Sequence, residues 1–68
     1  MSVPITLLEF GDVLRFHNSD MRGVVDQIRT KAGTVYVSVL WWDQHSSTWE
    51  EYVFNSERDA QVQAVVVK

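Results

Sequence analysis

The stretch TVYVSVLWW, residues 34–42, limits what this chain can fold into more than any other. Its nine residues are almost all β-branched or aromatic, types that fit a pleated, half-buried surface. A strand this strong needs partners and a sheet face to cover. The whole chain has 68 residues and no cysteine. That predicts one domain and excludes disulfides, thiol chemistry, iron–sulfur clusters and cysteine-bound zinc. A domain of this size buries only about 60% of its unfolded surface, so apolar packing must hold it together. The 46% hydrophobic content and eight aromatic residues are the material for that core, and the aromatics are expected to be mostly structural.

Strand and turn signals alternate along the rest of the chain. DVLRF (12–16) reads as a strand after Gly11, and HNSDMR (17–22) as a polar loop. GVVDQIR (23–29) reads as a second strand, closed by TKAG (30–33), where Gly33 suits a positive φ. After the central strand, DQHSS (43–47) turns the chain into TWEEYVF (48–54). NSERDAQ (55–61) breaks the pattern, and Ser56 with Asp59 three positions on resembles a cap for one short helical turn. VQAVVV (62–67) is the last strand. Residues 1–10 form an N-terminal arm or a short flanking strand, ahead of a domain spanning 11–68. Five short strands with no long helix predict a bent sheet closing into a small barrel.

GDVLRFHNSDMRGVVDQI (11–28) resembles the opening of SH3-like barrels of the KOW and Tudor type. Gly11, Asp12, Leu14, Phe16, Gly23, Val25 and Ile28 match the Gly-Asp, the apolar-x-apolar strand, and the Gly-x-Val-x-x-Ile that follows the loop. The resemblance implies an all-β, five-stranded SH3-like small barrel with one short helical turn before the last strand. That superfamily includes nucleic-acid binders, methyl-lysine readers, peptide binders and small subunits of photosynthetic complexes. RNA-binding KOW modules tend to be basic, and this chain carries a net charge of −3.

Side chains alternate between the faces of a strand. Val35, Val37, Val39 and Trp41 share one face, the expected interior, with Trp41 capping the core. Tyr36, Ser38, Leu40 and Trp42 share the other, where Trp42 is either covered by the N-terminal arm or the last strand, or part of an exposed apolar strip. In residues 48–54 each face carries one of Glu50 and Glu51, so alternation does not orient this strand. A bulge near Glu50–Glu51 would solvate both charges. Either Trp49 or Tyr52 is expected near Trp42 across the hairpin. Tyr36, Leu40, Trp42, Asp43, Trp49, Glu50, Glu51 and Tyr52 are therefore the candidate partner-binding residues: an aromatic patch with an acidic rim.

The charge is uneven. Residues 1–34 hold four bases and four acids, whereas residues 35–68 hold Arg58 and Lys68 against five acids. That disfavours nucleic acid, although Arg15, Arg22 and Arg29 with nearby aromatics keep a KOW-like alternative open. A Tudor-like methyl-lysine cage is a further alternative, built from Phe16, Tyr36, Trp42, Trp49 and Tyr52 with Asp43 or Glu50. His17 with Asp20, and His45 with Asp43 and Ser46, lack the further elements of a catalytic or metal site. No phosphate loop, dinucleotide fingerprint or membrane-length apolar run is present, and MSVPITLLEFGD is not expected to act as a secretory signal. The sequence thus predicts a cytoplasmic, non-catalytic protein-binding module without metal or cofactor: an adaptor, a small subunit of an assembly, or a small inhibitor of the kind phages encode. Its partner is expected to be another protein with basic surface residues, and no membrane. The sequence leaves the oligomeric state open.

Overall fold

The structure, a computed structural model, describes residues 2–17 and 21–67. It is all-β: among the described residues there is no α-helix. In chain order the strands are β1 (Val3–Pro4), β2 (Val13–Phe16), β3 (Arg22–Lys31), β4 (Thr34–Asp43), β5 (Thr48–Asn55), β6 (Gln61–Val62) and β7 (Ala64–Val67). A short 3-10 turn, Ile5–Leu7, follows β1. Five strands form one antiparallel sheet in the order β5-β4-β3-β2-β7, and β1 pairs with β6 in a second, two-stranded sheet. The larger sheet is open, with β5 and β7 as its edges. The 17–22 loop of the sequence reading falls partly on residues 18–20, outside the described set, as does Asp20.

Local chemistry explains the long β3–β4 hairpin. Ala32 and Gly33 both take positive φ, 50° and 81°, the pattern of a two-residue turn whose twist matches its strands. Gly23 is required for a different reason. A Cβ there would collide with Val39 Cγ1 and press on Phe16, so only hydrogen allows β2, β3 and β4 to approach.

The sequence of β3 hides a bulge. Its register against β4 shifts between Val25 and Gln27, leaving Asp26 as the extra residue. Val25 pairs with Val39 and Ile28 with Val37, so the bulge turns both toward the inner face although they are three apart. The bulge expected at Glu50–Glu51 is absent, because β5 keeps an unbroken register with β4 from Thr48 to Asn55.

The core is Ile5, Leu8, Leu14, Val25, Val37, Val39, Val62 and Ala64. The arm is thus both a two-residue strand and a plug. Ile5 donates its amide to the Ala60 carbonyl at 3.1 Å, and the 3-10 turn lays Ile5 and Leu8 against the sheet. Aliphatic packing replaces the aromatic core expected from composition: none of the eight aromatic residues is fully buried. Trp41 does face inward, but it is only half-buried. It lies beyond the last core pair, with Gly23 on one side and Glu50 on the other, so nothing bulky closes over it.

The segment after β5 forms one turn, in which the Asp59 amide donates to the Asn55 carbonyl at 2.7 Å. Asn55 is the cap, not Ser56: its Oδ1 accepts the amides of Glu57 at 3.1 Å and Arg58 at 2.9 Å. Ser56 instead ties the turn to β4, accepting the Val35 amide at 3.0 Å. Buried Thr34 adds a bond to Glu57 at 2.8 Å.

Candidate functional site

The β4–β5 hairpin carries the aromatic cluster. The register sets Trp42 opposite Trp49, Leu40 opposite Glu51, and Ser38 opposite Val53. All of these lie on the face away from the core. The two indoles meet edge to face at 5.4 Å and 69°. Trp42 remains 43% exposed and Trp49 63%. Val24, opposite Leu40 on β3, extends this apolar surface.

A groove of about 720 Å³ runs beside the pair. Met21, Arg22 and Val24 line it together with Trp41, Trp42 and Trp49, and Asp43, Gln44 and His45 line it from the hairpin turn. The hairpin turn is built by its own polar side chains. Asp43 Oδ1 accepts the His45 amide at 2.9 Å, which holds the Asp43 carboxyl below its ordinary pKa. Ser46 Oγ lies 2.7 Å from Thr48 Oγ1, and Thr48 bonds Glu50 at 3.1 Å. Asp43 and Ser46 therefore serve the turn, and no group of three His, Asp or Glu side chains that could hold a metal occurs among the described residues.

The eight candidate residues divide between the two faces. Tyr36, Leu40, Trp42, Trp49 and Glu51 share the outer face, with Asp43 at the start of the turn. Glu50 pairs with Trp41 and Tyr52 with Val39, which puts both on the inner side. The five aromatics considered for a methyl-lysine cage therefore do not converge. Phe16 and Tyr52 instead join Phe54 around an inner hollow of about 230 Å³, which meets the tryptophan groove at Met21 and Trp41. There Phe16 and Phe54 stack at 6.5 Å, and Tyr52 meets Phe54 at 4.6 Å.

Three residues of the site were not among the candidates. Val53 could have been found by its spacing from Trp49 and Glu51. Val24 could not, because the bulge that sets its neighbours has no sequence mark. Arg22, weighed only as part of a basic face, lines the aromatic groove itself. Arg15 lies directly opposite it, and Arg29 opposite Tyr36, so the three arginines share the outer face.

The edge of β5 completes the description. Arg58 pairs with Asp59 at 2.7 Å, donates to the Val53 carbonyl at 2.8 Å, and lies 5.7 Å from the Tyr52 ring centre. The same pairing lowers the Asp59 pKa and raises that of Arg58. Among the described residues no helix is long and apolar enough to cross a membrane. No protein family, curated protein or solved structure matches the chain.

Proposed function

We propose that this chain is a non-catalytic protein-binding module, acting in the cytoplasm as an adaptor, assembly subunit or inhibitor, and that it docks its partner on the outer face around Trp42 and Trp49. One observation carries the reading: two tryptophans paired across a hairpin, on the face opposite the core, with large exposed areas. Tryptophan is prominent among interface residues that dominate affinity, and a contiguous apolar surface is costly to leave in water. Glu51 on this face, and Asp43 at the hairpin end of the groove, favour a basic partner surface. The order β7-β2-β3-β4-β5, with a turn before the last strands, supports an SH3-like small barrel as the fold type.

The test is to isolate the partner by crosslinking and titrate it against variants. Trp42→Ala removes a side chain worth about 1.5–3 kcal/mol of burial, so the complex should weaken at least tenfold while the domain stays folded. Unchanged affinity would move the interface elsewhere.

A second reading has its own support. Arg15 and Arg22 are cross-strand neighbours, and Arg22 lines the tryptophan groove. Stacking on aromatics beside guanidinium groups suits single-stranded nucleic acid. Binding that falls steeply with salt and vanishes on replacing Arg15, Arg22 and Arg29 would put that reading first.

A further inference from the structure

The outer edge of β5 is covered at one end only. The Asn55 amide donates to Asp59 Oδ2 at 3.3 Å, the Asn55 carbonyl accepts the Asp59 amide, and the Val53 carbonyl accepts Arg58 Nη2. These groups belong to residues whose amides and carbonyls point away from β4. Alternation along an antiparallel strand puts Trp49 and Glu51 in the same set. The cap stops at Val53. Beyond it lie the amides and carbonyls of Glu51 and Trp49 and the Val53 amide, and among the described residues no strand pairs with them.

This open half of the edge adjoins the tryptophan groove. It has no proline, lysine or bulge, and its protection against pairing is the charge of Glu50 and Glu51. Glu50 and Glu51 project from it, one to each face. Among the described residues neither forms an ion pair; Glu50 bonds only the Thr48 hydroxyl.

Resting on the protein-binding reading above, we infer that the partner contributes an extended segment that adds antiparallel to residues 49–53 of β5, with two consecutive basic residues opposite Glu51 and Glu50. The charges fix this chemistry. Neighbouring residues of an added strand point to opposite faces, so two adjacent bases meet the two glutamates, one on each side. The residue before them faces Tyr52 and is β-branched. The residue after them faces Trp49 and is aliphatic. Main-chain bonds supply the grip, and the alternating side chains supply the choice of partner.

A second copy of this chain suits the edge poorly. Two-fold pairing centred on Glu50 or Glu51 sets that carboxylate against its own mate. Centring on Tyr52 requires the Val53 carbonyl that Arg58 already holds. Centring on Trp49 overlaps too little strand.

The test uses the intact chain and a capped synthetic octapeptide with the pattern β-branched, basic, basic, leucine at its centre. Titration followed by amide NMR should give saturable shifts at Trp49–Val53 and slow the exchange of the Glu51 amide. Backbone N-methylation of the first basic residue, opposite Glu51, removes a ladder hydrogen bond and should weaken binding at least tenfold. N-methylation of the second, whose amide points outward, should change it less than threefold. Equal effects of the two methylations, or no saturable shift at millimolar peptide, overturn the inference. So does concentration-dependent dimerisation that Glu51→Gln strengthens, since the edge would then serve a second copy. The protein-binding reading fails separately: it falls if Trp42→Ala leaves the native partner's affinity unchanged, whatever the peptide does.

Discussion

The two faces of the β4–β5 hairpin differ in both material and exposure. Inward, Val37 and Val39 have no accessible surface and contact Ile5, Leu8, Leu14 and Val62. Outward, Trp42 and Trp49 carry far more apolar area and leave about half of it in water. The largest apolar side chains are not the ones that form this core. The interior between so few strands is narrow, and compact β-branched side chains fill it in single rotamers. Indoles are too large for that space and are left to cover one another. The contrast separates stability, carried by small side chains inside, from the recognition proposed for the large ones outside.

The largest expected effect lies inside. Val39→Ala should cost about 1–3 kcal/mol, through lost burial and a residual cavity. Gly23→Ala should cost a similar amount from the opposite cause, since its methyl group competes with Val39 for the same volume. In a domain of this size each kcal/mol moves the melting temperature by roughly 4–8 °C. The double variant is the sharper measurement. If the two side chains contest one space, Gly23→Ala combined with Val39→Ala should be less damaging than the sum of the singles. Strict additivity would mean that the close approach of β3 and β4 does not depend on this contact.

The next effect lies outside and should be smaller. Trp42→Ala or Trp49→Ala loses the edge-to-face contact, worth about 0.5–1.5 kcal/mol beyond area burial. Thermal unfolding of both against Val39→Ala ranks the faces directly. A tryptophan variant less stable than Val39→Ala would erase the division between the two.

How much of this was readable beforehand follows the same division. The parity of Val35, Val37 and Val39 was visible because β4 runs as one strand of ten residues with unbroken register against β5. Gly33 announced its turn because few residues accept its φ. Three features were not visible, each for a physical reason. Asp26 carries no mark of a bulge, so the faces of β3 could be assigned only on one side of it. Glu50 and Glu51 gave both parities of β5 a charge, and the choice between them came from tertiary pairing with β4. Ile5 and Leu8 became core because β6 holds the arm in place, a contact between residues nearly sixty apart in sequence. The open edge was hidden as well, since strand order is not written in any single strand.

The two glutamates within β5 offer a finer comparison. Replacing Glu50 and Glu51 with glutamine should leave stability nearly unchanged and slow association with a basic partner. It should also flatten the salt dependence of that rate. Stopped-flow association at low and physiological salt checks this. An unaltered salt slope would remove charge from the recognition argument while leaving the tryptophans in it.

The smallest effect concerns acid. Asp43 at one end of β5 and Asp59 at the other both have lowered pKa values. Asp43 is held ionised by the His45 amide, Asp59 by the Arg58 guanidinium. A carboxylate whose pKa is lower folded than unfolded stabilises the fold fully above its unfolded value. That contribution disappears as pH falls through the folded one. Both groups are solvent-screened, so each contribution should be small beside any core substitution. Unfolding midpoints should therefore be level near neutrality and decline below the ordinary carboxylate value of 3.8. Asp59→Asn should flatten that decline and also release Arg58 from the edge, raising the exchange rate of amides near Val53. Asp43→Asn should flatten it while leaving those amides alone, because its partner lies in the hairpin turn at the opposite end. If both variants disturb the Val53 region alike, the two ends of β5 are not independent. The boundary drawn between its capped and open halves would then have to move.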